Sequence, residues 1–332
     1  MKRELMFAIR KDTDVVFIDN KGERGSVDLY YAYERRFNDG YCPFVATLGG
    51  DPAKRVYGFM DKSGKPTMLP FVKSADDFRE GMARVNYKDE SLNNNRYGYL
   101  DVNLQIAIPA LFRKARRFSE GVASVSVDGD KYGVIDKEGN WVIKPNFFWI
   151  GDFVDGVACA EGKEGMVGFI NKEGWWVIDP IHNLAESLGD KMICVHDENH
   201  MKALMTTTGE LVTGYEFTDI GKFNDGVAPA SKGKLWGYID TKGEWVCEPK
   251  YHRAHEFSEG RAVIENFIPN PFKAYGRIVA HGLIDRDFNV IVEPKHREIG
   301  KFKDGYAHVY TFESWGKHSN YMDKQGNLFV EE

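Results

Sequence analysis

No run of about 18 apolar residues occurs in this 332-residue chain, so nothing in it reads as a membrane-spanning helix. Its start, MKRELMFAIRK, has only a short apolar run, broken by Arg10 and Lys11, which does not make a signal peptide. The expected location is the cytoplasm, or outside the cell if a leader has been removed. Cysteine is scarce: Cys42, Cys159, Cys194 and Cys247 fall at strand positions of a repeat, not in a disulfide framework, as expected of free thiols in a reducing compartment. Charge of one sign is also scarce. A net charge of −6, with both signs interspersed, leaves no basic footprint for nucleic acid.

Enzyme signatures are missing as well. There is no Gly-x-Ser-x-Gly elbow, phosphate loop, Gly-x-Gly-x-x-Gly or His-Glu-x-x-His. His196 and His200 bracket Asp197 and Glu198, but they lie in a turn and the sequence places no further ligand beside them; His252 and His255 read the same way. The expectation is a protein with no catalytic residues, no metal and no cofactor.

What is abundant is glycine, 34 residues, and it is spent on a repeat. A turn of the form Phe-x-acid-Gly begins at Phe37, Phe78, Phe118, Phe153, Phe223, Phe257 and Phe302, with a worn copy at Leu188. Its acids are Asp39, Glu80, Glu120, Asp155, Asp190, Asp225, Glu259 and Asp304. An acid that recurs in every copy points to turn chemistry, the accepting of backbone N–H bonds, and not to a catalytic pair. Two residues past the turn lies a small side chain (Ala83, Ala123, Ala158, Ala228, Ala262 and Ala307 among them), with an apolar one two further on. That period of two is a strand with one crowded, buried face.

A second strand follows, centred on Gly-x-Ile-Asp as in Gly133-Val134-Ile135-Asp136, and closes on a turn whose Gly lies three residues after the Asp. A third strand, such as Trp141-Val142-Ile143-Lys144-Pro145, ends at a proline, which cannot donate to a ladder. The Asp position falls at Asp19, Asp61, Asp101, Asp136, Asn171, Thr206, Asp240, Asp285 and Asp323, which makes nine units over residues 1–332.

These submotifs resemble the WG-repeat, or KWG-repeat, family of bacterial β-repeat proteins. The likeness runs from about Phe7 to Val330, although only Trp236-Gly237 gives the name motif literally; other units place Tyr57, Tyr97, Tyr132, Val167 or His281 before the Gly. The resemblance carries no catalytic residues and implies a binding or structural module.

The fold expected is all-β: a single tandem array of nine antiparallel β-meander repeats, each of three strands with a fourth short one leading into the turn. An open, curved array or solenoid is favoured over the alternative, a closed β-propeller, because nine units exceed the usual blade count. The unit around 188–214, which has lost its turn Gly and the third-strand Trp and Pro, is expected to be the weakest.

Function would be grafted where the repeat is broken. Residues 26–36 carry Tyr30, Tyr31 and Tyr33 beside two arginines, and residues 265–280 lengthen a hairpin with Phe267, Phe272 and Tyr275. These six are the candidate binding residues, since exposed aromatics mark protein interfaces. The leading expectation is a non-enzymatic scaffold with a protein partner. A glycan-binding repeat, stacking sugars on the column Tyr57, Tyr97, Tyr132 and Trp236, is the second, and an enzyme with a site inside the array the third. No nucleic acid or membrane is expected as a partner.

Overall fold

The computed structural model describes residues 5–11, 14–19, 24–26, 37–47, 55–87, 95–273, 275–312 and 320–329. The chain forms two compact units, Met1–Lys163 with Phe169–Trp176 and Glu164–Gly168 with Val177–Glu332. Apart from a 3-10 turn at Lys163–Gly165, the elements among the described residues are strands, all paired antiparallel with their sequence neighbours.

Leu5–Lys11, Asp14–Asp19 and Arg24–Ser26 make a three-stranded sheet. The eight sheets after it each carry one of the eight acid turns and are the blades of a β-propeller. We number them blade 1 (41–69), 2 (72–112), 3 (114–147), 4 (149–182), 5 (185–206), 6 (219–251), 7 (253–296) and 8 (298–329). This corrects the expected open array of nine units. The ninth was counted from Asp19, whose sheet lacks a leading acid turn. The fourth strand is present in six blades, often as only two residues: Lys114–Ala115 pairs Ser126 and Val125, and Arg253–Ala254 pairs Glu265 and Ile264.

In every acid turn the acid takes a left-handed φ, from 47° at Asp39 to 55° at Asp304, and a Gly with positive φ follows in all but blade 5, where Lys191 stands at 60°. Two such residues at the tip make the hairpin turn whose twist suits the flanking strands. The left-handed backbone costs a non-glycine residue about 1–2 kcal/mol. What offsets it is a bond to the next blade. Asp39 Oδ2 accepts the Gly81 N–H at 2.8 Å, and Glu80 accepts Glu120 N–H at 2.6 Å and Gly121 N–H at 2.8 Å. In the second unit, Asp190 accepts Gly226 N–H at 2.6 Å, and Glu259 accepts Asp304 and Gly305 N–H at 2.7 and 2.9 Å. The following blade adds a cation: Lys137 Nζ donates to Glu80 O at 2.7 Å, and Lys324 Nζ lies 3.0 Å from Glu259 Oε2. Burial alone would raise the Glu80 pKa, but the two N–H donors and Lys137 hold it below the usual carboxylate value. The sequence-based expectation that these acids accept N–H bonds holds; the donors belong to the neighbouring blade.

The turn phenylalanines sit beneath this seam. Phe118 packs 4.9 Å from Tyr99 of blade 2, and Phe257 5.1 Å from Tyr238 of blade 6. The small residues after the turns are buried between blades, Ala123 with Tyr99 and Ile108, Ala262 with Tyr238 and Cys247.

The Gly that opens the second-strand motif answers to a different constraint. The third strand bulges before its proline, so its backbone lies across that Gly: a Cβ on Gly237 would stand 2.2 Å from Cys247 O, and on Gly133 2.5 Å from Ile143 O. Blade 5 has Ala203 there, fully buried, and its third strand is reduced to two isolated bridges, Lys202 with Phe217 and Met205 with Leu211. The segment between these bridges lacks the proline of the other third strands, and the extra methyl of Ala203 is accommodated.

Two outcomes follow from this packing. Glu80→Ala leaves two backbone donors without their acceptor and should lower unfolding free energy by about 1–2 kcal/mol, read by chemical denaturation. Gly237→Ala forces backbone apart and should cost about 1–3 kcal/mol or more. Ala203→Gly in blade 5, by contrast, should cost only about 0.5–1 kcal/mol in chain entropy.

Candidate functional site

The fifth residue past each turn Gly faces the start of the second strand. In four blades the second strand places an aromatic there, as with Val45 opposite Tyr57, Asn86 opposite Tyr97 and Ser231 opposite Trp236. Blades 5 and 7 break this rule. His196 stands opposite Lys202, and Glu265 opposite His281. Losing the bulky ring at these positions gathers titratable groups instead.

In blade 7, Glu265 is held between two imidazoles, with His255 Nε2 2.7 Å and His281 Nε2 3.9 Å from its Oε1. The Ile299 N–H donates to His281 Nδ1 at 3.2 Å, which assigns the proton of the neutral ring to Nε2, on the carboxylate side. That proton leaves His281 no lone pair for a metal shared with Glu265. The hydrogen bond from His255 keeps the Glu265 carboxyl below its usual pKa although burial raises it, and burial pushes His281 down. His296, across the sheet from His281, is buried with no protein partner for its Nε2; burial, with Lys295 and His281 adding, pushes its pKa down to about 4.

Above this cluster the sheet runs on. The segment 265–280 is not a loop: Ala262–Pro269 and Arg277–Ile284 stay paired from Ala262–Ile284 out to Pro269–Arg277, and the turn is confined to 270–276. Beyond Glu265 and His281 the ribbon has two strands, and among the described residues no further strand lines either edge. Phe267 leans on the His252 ring at 4.2 Å yet remains 51% exposed, while Phe272 and Tyr275 at the tip are 56% and 84% exposed. Lys273 and Arg277 add positive charge beside them. Three of the six expected binding residues are thus brought together on one projection. Tyr30, Tyr31 and Tyr33 lie outside the described residues, as does most of 89–95.

The aromatic column does not form an open platform. Tyr132 is buried and Tyr57, Tyr97 and Trp236 are half-buried. Arg84 caps Tyr97 at 5.1 Å, Lys114 lies 5.7 Å from Tyr132, and Arg253 of blade 7 stands 6.0 Å from Trp236 of blade 6. The column is packing.

In blade 5, Glu186, Cys194 and His196 place their ligand atoms within 4.8 Å of one another. His200 takes no part: it occupies the left-handed position, φ 61°, of a turn whose Asp197 Oδ1 accepts Asn199 and Met201 N–H. Sequence reasoning paired His196 with His200 by nearness in the chain and missed Glu186 and Cys194. The signal that could have found them is the absent aromatic before Ala203. An open pocket of about 570 Å³ in the first unit is lined by Tyr41, Asp61, Lys65, Thr67, Phe71 and Gln105 among others; its Asp61 serves the second-strand turn, where Oδ1 accepts the Ser63 and Lys65 N–H groups. All four cysteines are buried.

A histidine with a depressed folded-state pKa stays neutral in the fold while the unfolded chain takes up a proton near 6.5. The resulting stability is present above that value and is lost as pH falls below it. We therefore expect the melting temperature to drop between about pH 7 and pH 5. His296→Leu should flatten that slope; an unchanged slope would assign the acid sensitivity elsewhere.

The sequence profile of the "WG containing repeat" matches residues 57–90, 97–130, 132–165, 204–236, 236–266 and 282–310. No curated protein matches the chain by sequence. Among solved structures, one described as a eukaryotic initiation factor has the same fold, with a TM-score of 0.63 at 11% identity over 99% of this chain and 96% of that one. Weaker likenesses reach the β-propeller domain of the trilobed protease from Pyrococcus furiosus (TM-score 0.45, 10% identity, 91% of this chain and 97% of that one) and BamB from Moraxella catarrhalis (0.42, 11%, 78% and 92%). The six matched stretches cover more than half of the sequence, and the chain belongs to the WG-containing repeat family.

Proposed function

We propose that this chain is a non-enzymatic scaffold that binds a protein partner through the projecting hairpin of blade 7. The observation that carries the reading is the hairpin itself. Two strands of eight residues outrun their neighbours and present Phe267, Phe272 and Tyr275, each more than half exposed, on a paired ribbon, with the Phe272 ring also meeting Phe312 edge-on at 6.1 Å. Aromatic anchors on a rigid element lose little entropy when they are buried by a partner. The free ribbon edges offer N–H and C=O groups to an added strand, and Lys273 and Arg277 favour a partner with acidic residues at the contact. The His255–Glu265–His281 cluster lies at the root of the ribbon and anchors it with buried hydrogen bonds. It has no Ser or Cys nucleophile among its members, which supports the non-enzymatic reading.

The test is capture of partners by the full chain and by Phe267→Ser/Phe272→Ser/Tyr275→Ser. These side chains are exposed, so the melting temperature should be nearly unchanged while the captured protein is lost. The same partners retained at the same yield would remove the hairpin from the function. Excision of 265–280 would be a poorer test, because Glu265 and Ala280 belong to the sheet.

A further inference from the structure

We propose that Glu186, Cys194 and His196 of blade 5 form a binding site for one divalent transition-metal ion of the zinc type. The register assembles it. Cys194 and His196 lie two residues apart on Met192–His196 and so share a face, and Glu186 of Ala185–Gly189 stands directly opposite Cys194. Thiolate, imidazole and carboxylate are the donor set that suits a tetrahedral borderline-soft cation, with a fourth position open to water. The cluster is confined to the blade that departs furthest from the repeat. In blade 3 the positions of Cys194 and His196 carry Ser124 and Ser126, whose hydroxyls serve ordinary backbone and turn bonds. In blade 5 both have become ligand types, and the aromatic that would cover them has become Lys202.

Lys202 is the group that the site must accommodate. Its Nζ lies 3.6 Å from Glu186 Oε1 and 2.6 Å from Asp219 Oδ1. With a metal in place, Asp219 retains the ammonium and Glu186 turns from ion-pair partner to ligand. On binding, the Cys194 S–H bond breaks, its proton goes to solvent, and a sulfur–metal bond forms with no change in oxidation state. The aqueous divalent ion is the only co-reactant. The site is independent of the blade 7 hairpin, and either proposal can fail without the other.

The experiment uses the full chain, stripped of metal with a chelator and desalted, and titrated with Co²⁺ as a spectroscopic probe and then with Zn²⁺ in competition. The expected result is one Co²⁺ per chain, with a thiolate-to-cobalt charge-transfer band that Zn²⁺ abolishes. Cys194→Ser should lose the band; Ser124 at the matching position of blade 3 shows that a hydroxyl fits the fold there. His196→Ser and Glu186→Gln should each weaken binding by about tenfold or more. Lys202→Met should tighten it by removing the competing charge. His200→Ala should bind as the parent does. Melting temperatures of the metal-free variants identify any that fail to fold, and Cys194→Ala then serves in place of Cys194→Ser. No charge-transfer band with the parent, a band that survives in Cys194→Ser or Cys194→Ala, or equal affinity in His196→Ser would overturn the site and leave Glu186 as an ion-pair partner of Lys202 alone.

Discussion

A carboxylate that reaches from one turn to the backbone of the next is the contact on which this fold depends. A single blade of three or four short strands is too small to bury its own faces, so its stability comes from its neighbours. Packing between apolar faces supplies the bulk of that energy, but it tolerates sliding. The acid-to-turn hydrogen bonds do not. Glu80 meets two consecutive N–H groups of the blade 3 turn, and Glu259 those of the blade 8 turn, at charge-assisted distances. Each bond needs both turns in the left-handed conformation. The strain of placing Glu or Asp there is therefore linked to the registration of the adjoining blade, and neither blade adopts its turn independently of the other.

This linkage explains what could be read from the sequence and what could not. The acids were legible as acceptors of backbone N–H because they recur with the turn. Their donors were not legible, since a period gives the spacing of units along the chain and not the register between them. The glycine before Phe59, Val134 or Tyr238 was legible as part of a motif, but its cause lies in a third strand that bulges over it before a proline. The number of units was misread for a related reason. The Asp turn recurs nine times, whereas each blade carries one acid turn, and that recurs eight times. The alternation inside the segment 265–280 is weak, interrupted by Asn266, Pro269 and Asn270, so it reads as a loop. Cross-strand pairing with 277–284 makes its first half a strand all the same.

The candidate sites were legible only as departures. Phe272 and Tyr275 were visible as aromatics outside the pattern. The clusters in blades 5 and 7 were not, because their members are scattered over three strands each and are joined by register alone. One sequence position nevertheless announces both clusters: the residue before the second-strand glycine. A large ring there shields the inner polar positions of the blade, as Tyr97 shields Asn86. Lysine or histidine there leaves room, and the polar positions fill with groups that answer one another's charge.

The departures are also tolerated for a physical reason that differs between the two blades. Blade 7 keeps its acid turn, its Asp285 turn and its bulged third strand, so its histidine cluster is added to an intact blade. Its long ribbon continues the sheet outward from that frame. Blade 5 keeps its third strand only as two isolated bridges and without the proline, and it carries Ala203 where the other blades have glycine or, in blade 8, Asn320. The blade is then held by Cys194, Leu204, Leu188 and Phe217 packing with Ile220 and Ile239 of blade 6, and by the Asp190 bond to Gly226. A blade fixed from one side by its neighbour is free to vary on its other positions, and it is there that Glu186, His196 and Lys202 have replaced the repeat.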